Sequence, residues 1–194
     1  MTLLANKQQN WNQRYQLKAI TEPEAAYVLT ANSHLLADKG RALDLACGLG
    51  ANAIFLARKG YQVTAVDYSA VALEKLDRFA ESENLSINSR LIDLENFEGA
   101  LGNYDLIVVS YYLQRELFPL ILSAINSGGM LFYQTFSGIA DNMSGPKNAA
   151  FRLKRSELLA LSSGHEILYY REDPDNCIGD DCFKGEVMIV VKRD

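Results

Sequence analysis

Leu43-Asp44-Leu45-Ala46-Cys47-Gly48-Leu49-Gly50 is an apolar run that ends in two glycines spaced by one residue. A helix-like pattern follows it. A second apolar run over residues 61–66 then stops at an acid, Asp67. Strand, glycine turn, helix, strand and terminal acid make one βαβ unit suited to a ribose-bearing ligand. Glycine has no Cβ, so the backbone of the turn can approach a ligand closely. The helix start offers unpaired N–H groups to an anionic group. A carboxylate at the tip of the next strand can accept both ribose hydroxyls.

Asp44 narrows the choice of ligand. In a dinucleotide-binding strand the residues before the first glycine are usually apolar, whereas here an acid stands four positions before Gly48. Asp67 falls 17 residues after Gly50, close to the roughly 20 expected for a ribose-binding carboxylate. Two further stations follow in order. Leu91-Ile92-Asp93-Leu94 ends a third apolar run in an acid, and Tyr104-Asp105-Leu106-Ile107-Val108-Val109-Ser110 is a strand led by an aspartate.

Asp-x-Ala-x-Gly-x-Gly and its three companions resemble the motifs of the class I S-adenosylmethionine-dependent methyltransferases. Ala46 stands where that family often has its first glycine. The resemblance implies an α/β, Rossmann-like, seven-stranded sheet of order 3-2-1-4-5-7-6, with the last strand antiparallel and helices on both faces. It implies S-adenosyl-L-methionine as cofactor. Ala46, Gly48 and Gly50 would wrap its methionine moiety, and Asp44 would position the ammonium group. Asp67, with Tyr68 beside it, would hold the ribose, and Asp93 and Leu94 would meet the adenine. Ser110 would border the reaction site.

Trp11-Asn12-Gln13-Arg14-Tyr15 resembles the entry helix of the tellurite-resistance and thiol-methyltransferase-like branch, in which such a helix folds over the cofactor. Arg14, Tyr15, Tyr111, Tyr112 and Arg115 are the acceptor-pocket candidates; no catalytic residue is assigned. Tyr111 or Tyr112 would face the sulfonium or pack under a lid. Arg14 would line the pocket or pair with a surface carboxylate. The Asn/Asp-Pro-Pro-aromatic motif of amino-directed nucleic-acid enzymes is replaced by Ser110-Tyr111-Tyr112-Leu113, which argues against base methylation. The implied function is in-line methyl transfer to a small molecule, such as a thiol or an oxyanion. An NAD(P)-dependent oxidoreductase and a non-catalytic S-adenosylmethionine-binding module are the alternatives.

The chain has 194 residues, nearly half of them apolar, and a net charge of −5. That length fits one domain, 1–194, with residues 1–38 as an N-terminal helical cap. An acidic balance disfavours a broad nucleic-acid surface. No apolar stretch approaches the roughly 20 residues of a membrane span, and the polar start lacks a signal-peptide core. A cytoplasmic enzyme with a small-molecule substrate is expected; oligomeric state is left open. Cys177 and Cys182 read as two incidental thiols in a solvated acidic loop, too few for a closed zinc site without a neighbouring histidine. No metal is expected.

Periodicity predicts one or two N-terminal helices up to about residue 36. Trp11, Tyr15 and Leu17 would form an apolar stripe, and Thr21 and Pro23 would open the second helix. Strands follow at 41–46, 61–66, 87–92, 104–109, 130–136, 165–171 and 186–192. Helices are expected at 51–58, from the Ser69 cap to about 83, at 113–125 and at 156–162. Gly128-Gly129 reads as a sharp turn.

Overall fold

The computed structural model describes residues 3–20, 24–138, 145–174, 177–179 and 182–194. Seven strands share one sheet: β1 (Arg41–Leu45), β2 (Gln62–Asp67), β3 (Ile87–Leu91), β4 (Tyr104–Ser110), β5 (Ile125–Phe136), β6 (Glu166–Glu172) and β7 (Glu186–Lys192). Their order is 3-2-1-4-5-7-6, as the resemblance implied. β1 to β5 run parallel, and β7 is antiparallel to both β5 and β6. The helices are α1 (Leu3–Gln16), α2 (Tyr27–Ala31), α3 (Ala51–Arg58), α4 (Ala70–Ser82), α5 (Phe118–Ser123) and α6 (Glu157–Leu161). No helix among the described residues is long and apolar enough to cross a membrane.

Strand order reverses at β1, which lies between β2 and β4. The connections that follow β1 and β4 therefore leave in opposite directions, and a crevice opens beyond the carboxyl ends of the strands. Because β7 is antiparallel, its first residue, Glu186, opposes Phe136 at that same edge.

Side chains alternate across a strand, and the alternation sorts the core into two layers. Leu43, Leu45, Ile107, Val109, Leu131 and Tyr133 face α5 and α6, where Phe118, Ile121 and Leu158 cover them. Ala42, Val63, Ala65, Leu106, Val108 and Phe132 face the other way, under Val28, Leu29, Ala53, Ile54 and Leu76. Asp44 has the parity of Ala42. The sequence Leu-Asp-Leu therefore places one carboxylate in the layer beneath α3.

The structure corrects several local expectations. The helix expected over 113–125 is a 3₁₀ turn at Arg115–Leu117 followed by α5, and Pro119 sits in the first turn of α5, where its missing N–H costs nothing. Gly128 and Gly129 lie inside β5, at an irregular stretch rather than a sharp turn. A Cβ on Gly129 would stand 2.9 Å from the Asp105 carbonyl oxygen, so close backbone approach explains that glycine. Leu17 follows α1 and is 92% exposed, so it joins no stripe. Thr21 and Pro23 lie outside the described residues, and α2 opens at Tyr27. Ser69 does cap α4, accepting from the Ala72 N–H at 3.2 Å. Ser156 precedes α6 without a side-chain cap bond. Cys177 and Cys182, expected as free thiols, form a disulfide across a Cα–Cα distance of 6.1 Å, well within bridging range.

Candidate active site

The turn between β1 and α3 is held in a left-handed backbone at three positions: Ala46 (φ 58°), Gly48 (φ 55°) and Gly50 (φ 77°). Such angles suit glycine and strain alanine. The two glycines serve different purposes. A Cβ on Gly50 would stand 2.5 Å from Leu76 Cδ1, so this residue is small to let α4 pack. A Cβ on Gly48 would stand 2.7 Å from the Tyr15 hydroxyl, on the cavity side of the turn. Gly48 is thus the glycine of the turn that faces the cavity.

Asp67 closes this turn. Its Oδ2 accepts from the Gly48 N–H at 2.7 Å and its Oδ1 from the Ser69 N–H at 2.8 Å. Burial raises its carboxyl above the usual carboxylate range, against the pull of these N–H groups. Asp44 is fully buried and does not line the cavity. Its Oδ2 accepts from the Ala53 N–H at 3.0 Å and its Oδ1 from Asn52 Nδ2 at 3.4 Å, so it anchors the first turn of α3. Burial pushes its pKa up to about 7; the hydrogen bonds from Asn52 and Ala53 oppose this, and the Asp67 charge adds to it.

These residues border a cavity of about 750 Å³, in the range of small-molecule sites. At one end lie Tyr68, Ile92, Asp93 and Leu94. Asp93 is fixed by accepting from the Glu95 N–H at 3.0 Å and from Asn96 Nδ2 at 2.7 Å. This end joins an apolar wall to acceptor oxygens. The floor is Ala46, Cys47, Gly48 and Ser110, and Trp11 and Tyr15 of α1 border the same space. Their rings stack at 5.7 Å. Three side chains bind α1 and its exit to α4 and the loop before it. Lys75 Nζ donates to the Tyr15 carbonyl at 2.7 Å, Ser69 Oγ to Asn12 Oδ1 at 2.6 Å, and Gln8 Nε2 to the Tyr68 carbonyl at 3.0 Å.

Two buried amides organise the other end. Asn52 Oδ1 accepts from the Ala26 N–H at 2.9 Å, while its Nδ2 donates to Ser110 Oγ at 2.9 Å. Gln134 Oε1 accepts from the Val28 N–H at 2.9 Å. Its Nε2 donates to Glu186 Oε2 at 2.7 Å and to the Tyr111 hydroxyl at 2.9 Å. Side chains of α3 and β5 thereby satisfy backbone donors at the start of α2 and fix the segment that carries Glu24 and Tyr27 beside the cavity. Tyr111 itself has φ 55°, an uncommon angle for a bulky residue, and half-exposes its ring at the mouth. Its hydroxyl donates to Glu186 Oε2 at 3.2 Å.

The structure brings Ala46, Gly48, Asp67, Tyr68, Asp93, Leu94, Ser110, Tyr15, Tyr111 and Tyr112 to one cavity. It leaves Asp44 and Gly50 just behind the wall, and two acceptor candidates elsewhere. Arg14 lies over the Trp11 ring at 4.9 Å, outside the cavity. Arg115 pairs with Glu157, donating through Nε at 2.5 Å and through Nη2 at 3.0 Å, and it also donates to the Ala150 and Arg152 carbonyls. It ties the turn after β4 to the segment before α6. Sequence reading missed Glu24, Tyr27, Asn52, Gln134, Phe183 and Glu186. Only the last had a local signal, as the first residue of a strand expected to run antiparallel and so to begin at the ligand edge.

The family model described as tellurite resistance protein TehB matches residues 3–182. The chain belongs to the TehB family. A TehB-family relative from Haemophilus influenzae, named a probable S-adenosyl-L-methionine-dependent methyltransferase TehB, is 33% identical over 141 residues, 69% of this chain and 48% of its own length. The chain spans about half the length of the curated relatives it matches first. The crystal structure of TehB from Haemophilus influenzae superposes with a TM-score of 0.71 at 23% identity, covering 97% of this chain and 67% of that one. A methyltransferase structure from Clostridium acetobutylicum gives a TM-score of 0.64 at 15% identity over 99% of both chains. At these identities the likeness to solved structures concerns the fold.

Proposed function

We propose that this TehB-family chain transfers a methyl group from S-adenosylmethionine to a small-molecule acceptor. The observation that carries the reading is the Gly48–Asp67 pair: a cavity-facing glycine fastened to a carboxylate, both opening on a cavity of cofactor size. The relative's name supports the same activity.

The residues fit the cofactor. Asp67 borders the cavity and, with one N–H on each oxygen, has acceptor capacity left with which it would take the ribose hydroxyls. Ile92 and Leu94 would flank the adenine, with Asp93 accepting from its amino group. Ala46, Gly48 and Ser110 would surround the methionine tail, with the Tyr15 hydroxyl above Gly48. Asp44 would act on that tail only through the α3 turn it anchors. In this reading the N-terminal segment caps a single domain; what supports it is α1, fastened beside Asp67 through Asn12 and the Tyr15 carbonyl.

The bound sulfonium supplies an electrophilic methyl group whose leaving group is a neutral thioether, so the protein need not protonate it. This chain has to align the acceptor and keep water out. Alignment alone can lower a barrier by roughly 7–11 kcal/mol in well-oriented systems. Tyr111 and Tyr112 lie at the carboxyl edge, where the acceptor must approach. A thiolate or an oxyanion requires no base, but an oxyanion suits this lining poorly. Among the described lining residues Lys18 is the one cation, against Glu24, Asp67, Asp93 and Glu95.

The direct test is turnover with methyl-labelled S-adenosylmethionine against thiols, oxyanions, amines and small carboxylates. Labelled product from at least one acceptor is expected. Cofactor binding with no transfer to any of them favours the non-catalytic module.

A further inference from the structure

We infer that the acceptor is a small organic amine, drawn to the cavity mouth by the aromatic faces of Tyr27, Phe183 and Tyr111 and by the carboxylate of Glu24. This deepens the methyltransferase reading and rests on it. The argument begins with the part of the cavity that the cofactor would leave open. Asp67 and Asp93 belong to the ribose and adenine ends, so the open part is bordered by Glu24, Tyr27, Tyr111, Gln134 and Phe183. Three of these are aromatic and one is an acid.

The rings are held in place. Tyr27 and Phe183 lie 4.4 Å apart, tilted by 39°. Tyr111 rests on Phe136 at 5.1 Å, and its hydroxyl is fixed by Gln134 and Glu186. The negative face of an aromatic ring attracts a cation and repels an anion. The same pair already carries a cation, which shows that these rings take a positive charge in this setting: the Arg171 guanidinium sits 4.6 Å from the Phe183 centroid and 6.0 Å from that of Tyr27. That charge is balanced by Asp173, at 2.7 and 2.9 Å, and neither residue borders the cavity. Among the described residues the mouth then carries the carboxylates of Glu24 and Glu186, with Lys18 the one cation that lines the cavity. Both carboxylates act on the Tyr111 hydroxyl, whose pKa burial and Glu186 raise to about 12, with Glu24 adding a smaller push. Tyr111 stays a neutral donor and adds no negative charge of its own. An oxyanion would meet carboxylates and ring faces here, whereas an amine meets groups that favour its cation and its methylated product.

The chemistry balances. The amine arrives as an ammonium ion and gives its proton to solvent water at the open mouth; the free base then supplies its lone pair, the N–C bond forms as the C–S bond breaks, and the bonding pair stays on sulfur. A neutral amine and a sulfonium become an N-methylammonium ion and a neutral thioether. The ammonium formed lies against the same rings and acid.

The test uses the whole chain loaded with S-adenosylhomocysteine and two aromatic probes of opposite charge, benzyltrimethylammonium and benzoate. Calorimetry is expected to give at least tenfold tighter binding of the cation, and Glu24→Gln should weaken the cation at least tenfold while leaving benzoate no weaker. Labelled transfer to 2-phenylethylamine should exceed transfer to selenite. If benzoate binds as well as the cation, if Glu24→Gln leaves the cation's affinity intact, or if selenite is the better acceptor, the inference is overturned while the methyltransferase reading stands. If S-adenosylhomocysteine itself does not bind, both fall together.

Discussion

The Gly48 N–H donates to Asp67 Oδ2 at 2.7 Å, so the cavity-lining glycine after β1 and the acid at the end of β2 are joined at the carboxyl ends of neighbouring strands. One carboxylate thus shapes the turn and, in the proposed complex, grips the ribose. We predict that Asp67→Ala lowers S-adenosylhomocysteine affinity at least tenfold, about 1.4 kcal/mol, and also lowers thermal stability, because the Gly48 and Ser69 N–H groups lose their acceptor. Calorimetry and thermal unfolding check the two effects. An unchanged affinity removes Asp67 from the site.

Gly48 and Gly50 should separate cleanly. Gly50→Ala drives a methyl into Leu76 in a left-handed backbone. Overpacking and backbone strain together cost about 2–4 kcal/mol, which for a chain of this size is a fall of roughly 5–15 °C in Tm. Gly48→Ala meets only the movable end of Tyr15. Its loss should appear mainly in cofactor affinity, tenfold or more, with the smaller stability change of a strained alanine. Equal Tm losses in the two variants would contradict the division of roles.

Asp44 gives a pH dependence of definite sign. Its folded pKa, about 7, lies above the ordinary 3.8, so the native protein binds more protons than the unfolded chain between these values. The contribution is fully present below about pH 4 and is lost as pH rises to about 7. Its size is on the order of 1–4 kcal/mol. Denaturant unfolding at pH 5 and pH 7.5 should show a smaller difference for Asp44→Asn than for the parent. Asp67, raised by the same cause, leaves a residual slope of the same sign. A slope unaltered by Asp44→Asn would refute the assignment.

Arg115 is expected to be structural. Its side chain is one-third exposed beside Glu157, and it also holds two backbone carbonyls. Arg115→Ala should cost about 1–2 kcal/mol, read by urea unfolding, with S-adenosylhomocysteine affinity within twofold of the parent. A variant of normal stability that no longer binds would return Arg115 to the site.

The sheet was legible because β1, β2 and β4 are largely apolar runs and polar residues mark the ligand edge: Asp67 at the end of β2, Asp93 beyond β3 and Ser110 at the end of β4; β3 itself, Ile-Asn-Ser-Arg-Leu, is a mostly polar edge strand. Local spacing could not tell which glycine faces the cavity, since Gly50 answers to Leu76, a residue 26 positions away. Asp44 was correctly singled out, but its parity in β1 sends the carboxylate under α3 instead of into the cavity. The two arginines differ in readability. Arg14 lies over Trp11, three residues before it in α1, a contact that helical spacing allows, whereas Arg115 reaches Glu157, 42 residues away, which no local pattern encodes. Glu24, Gln134 and Phe183 meet only when α2, β5 and the loop before β7 converge, so nothing near each in the chain announces the site.

The most direct measurement is a crystal structure of the complex with S-adenosylhomocysteine. The account predicts the ribose hydroxyls within hydrogen-bond distance of Asp67, the adenine between Ile92 and Leu94, and the amino-acid tail against Gly48 beneath Tyr15. A nicotinamide dinucleotide taking that place in competition, or a ligand seated away from the Gly48–Asp67 pair, would contradict it.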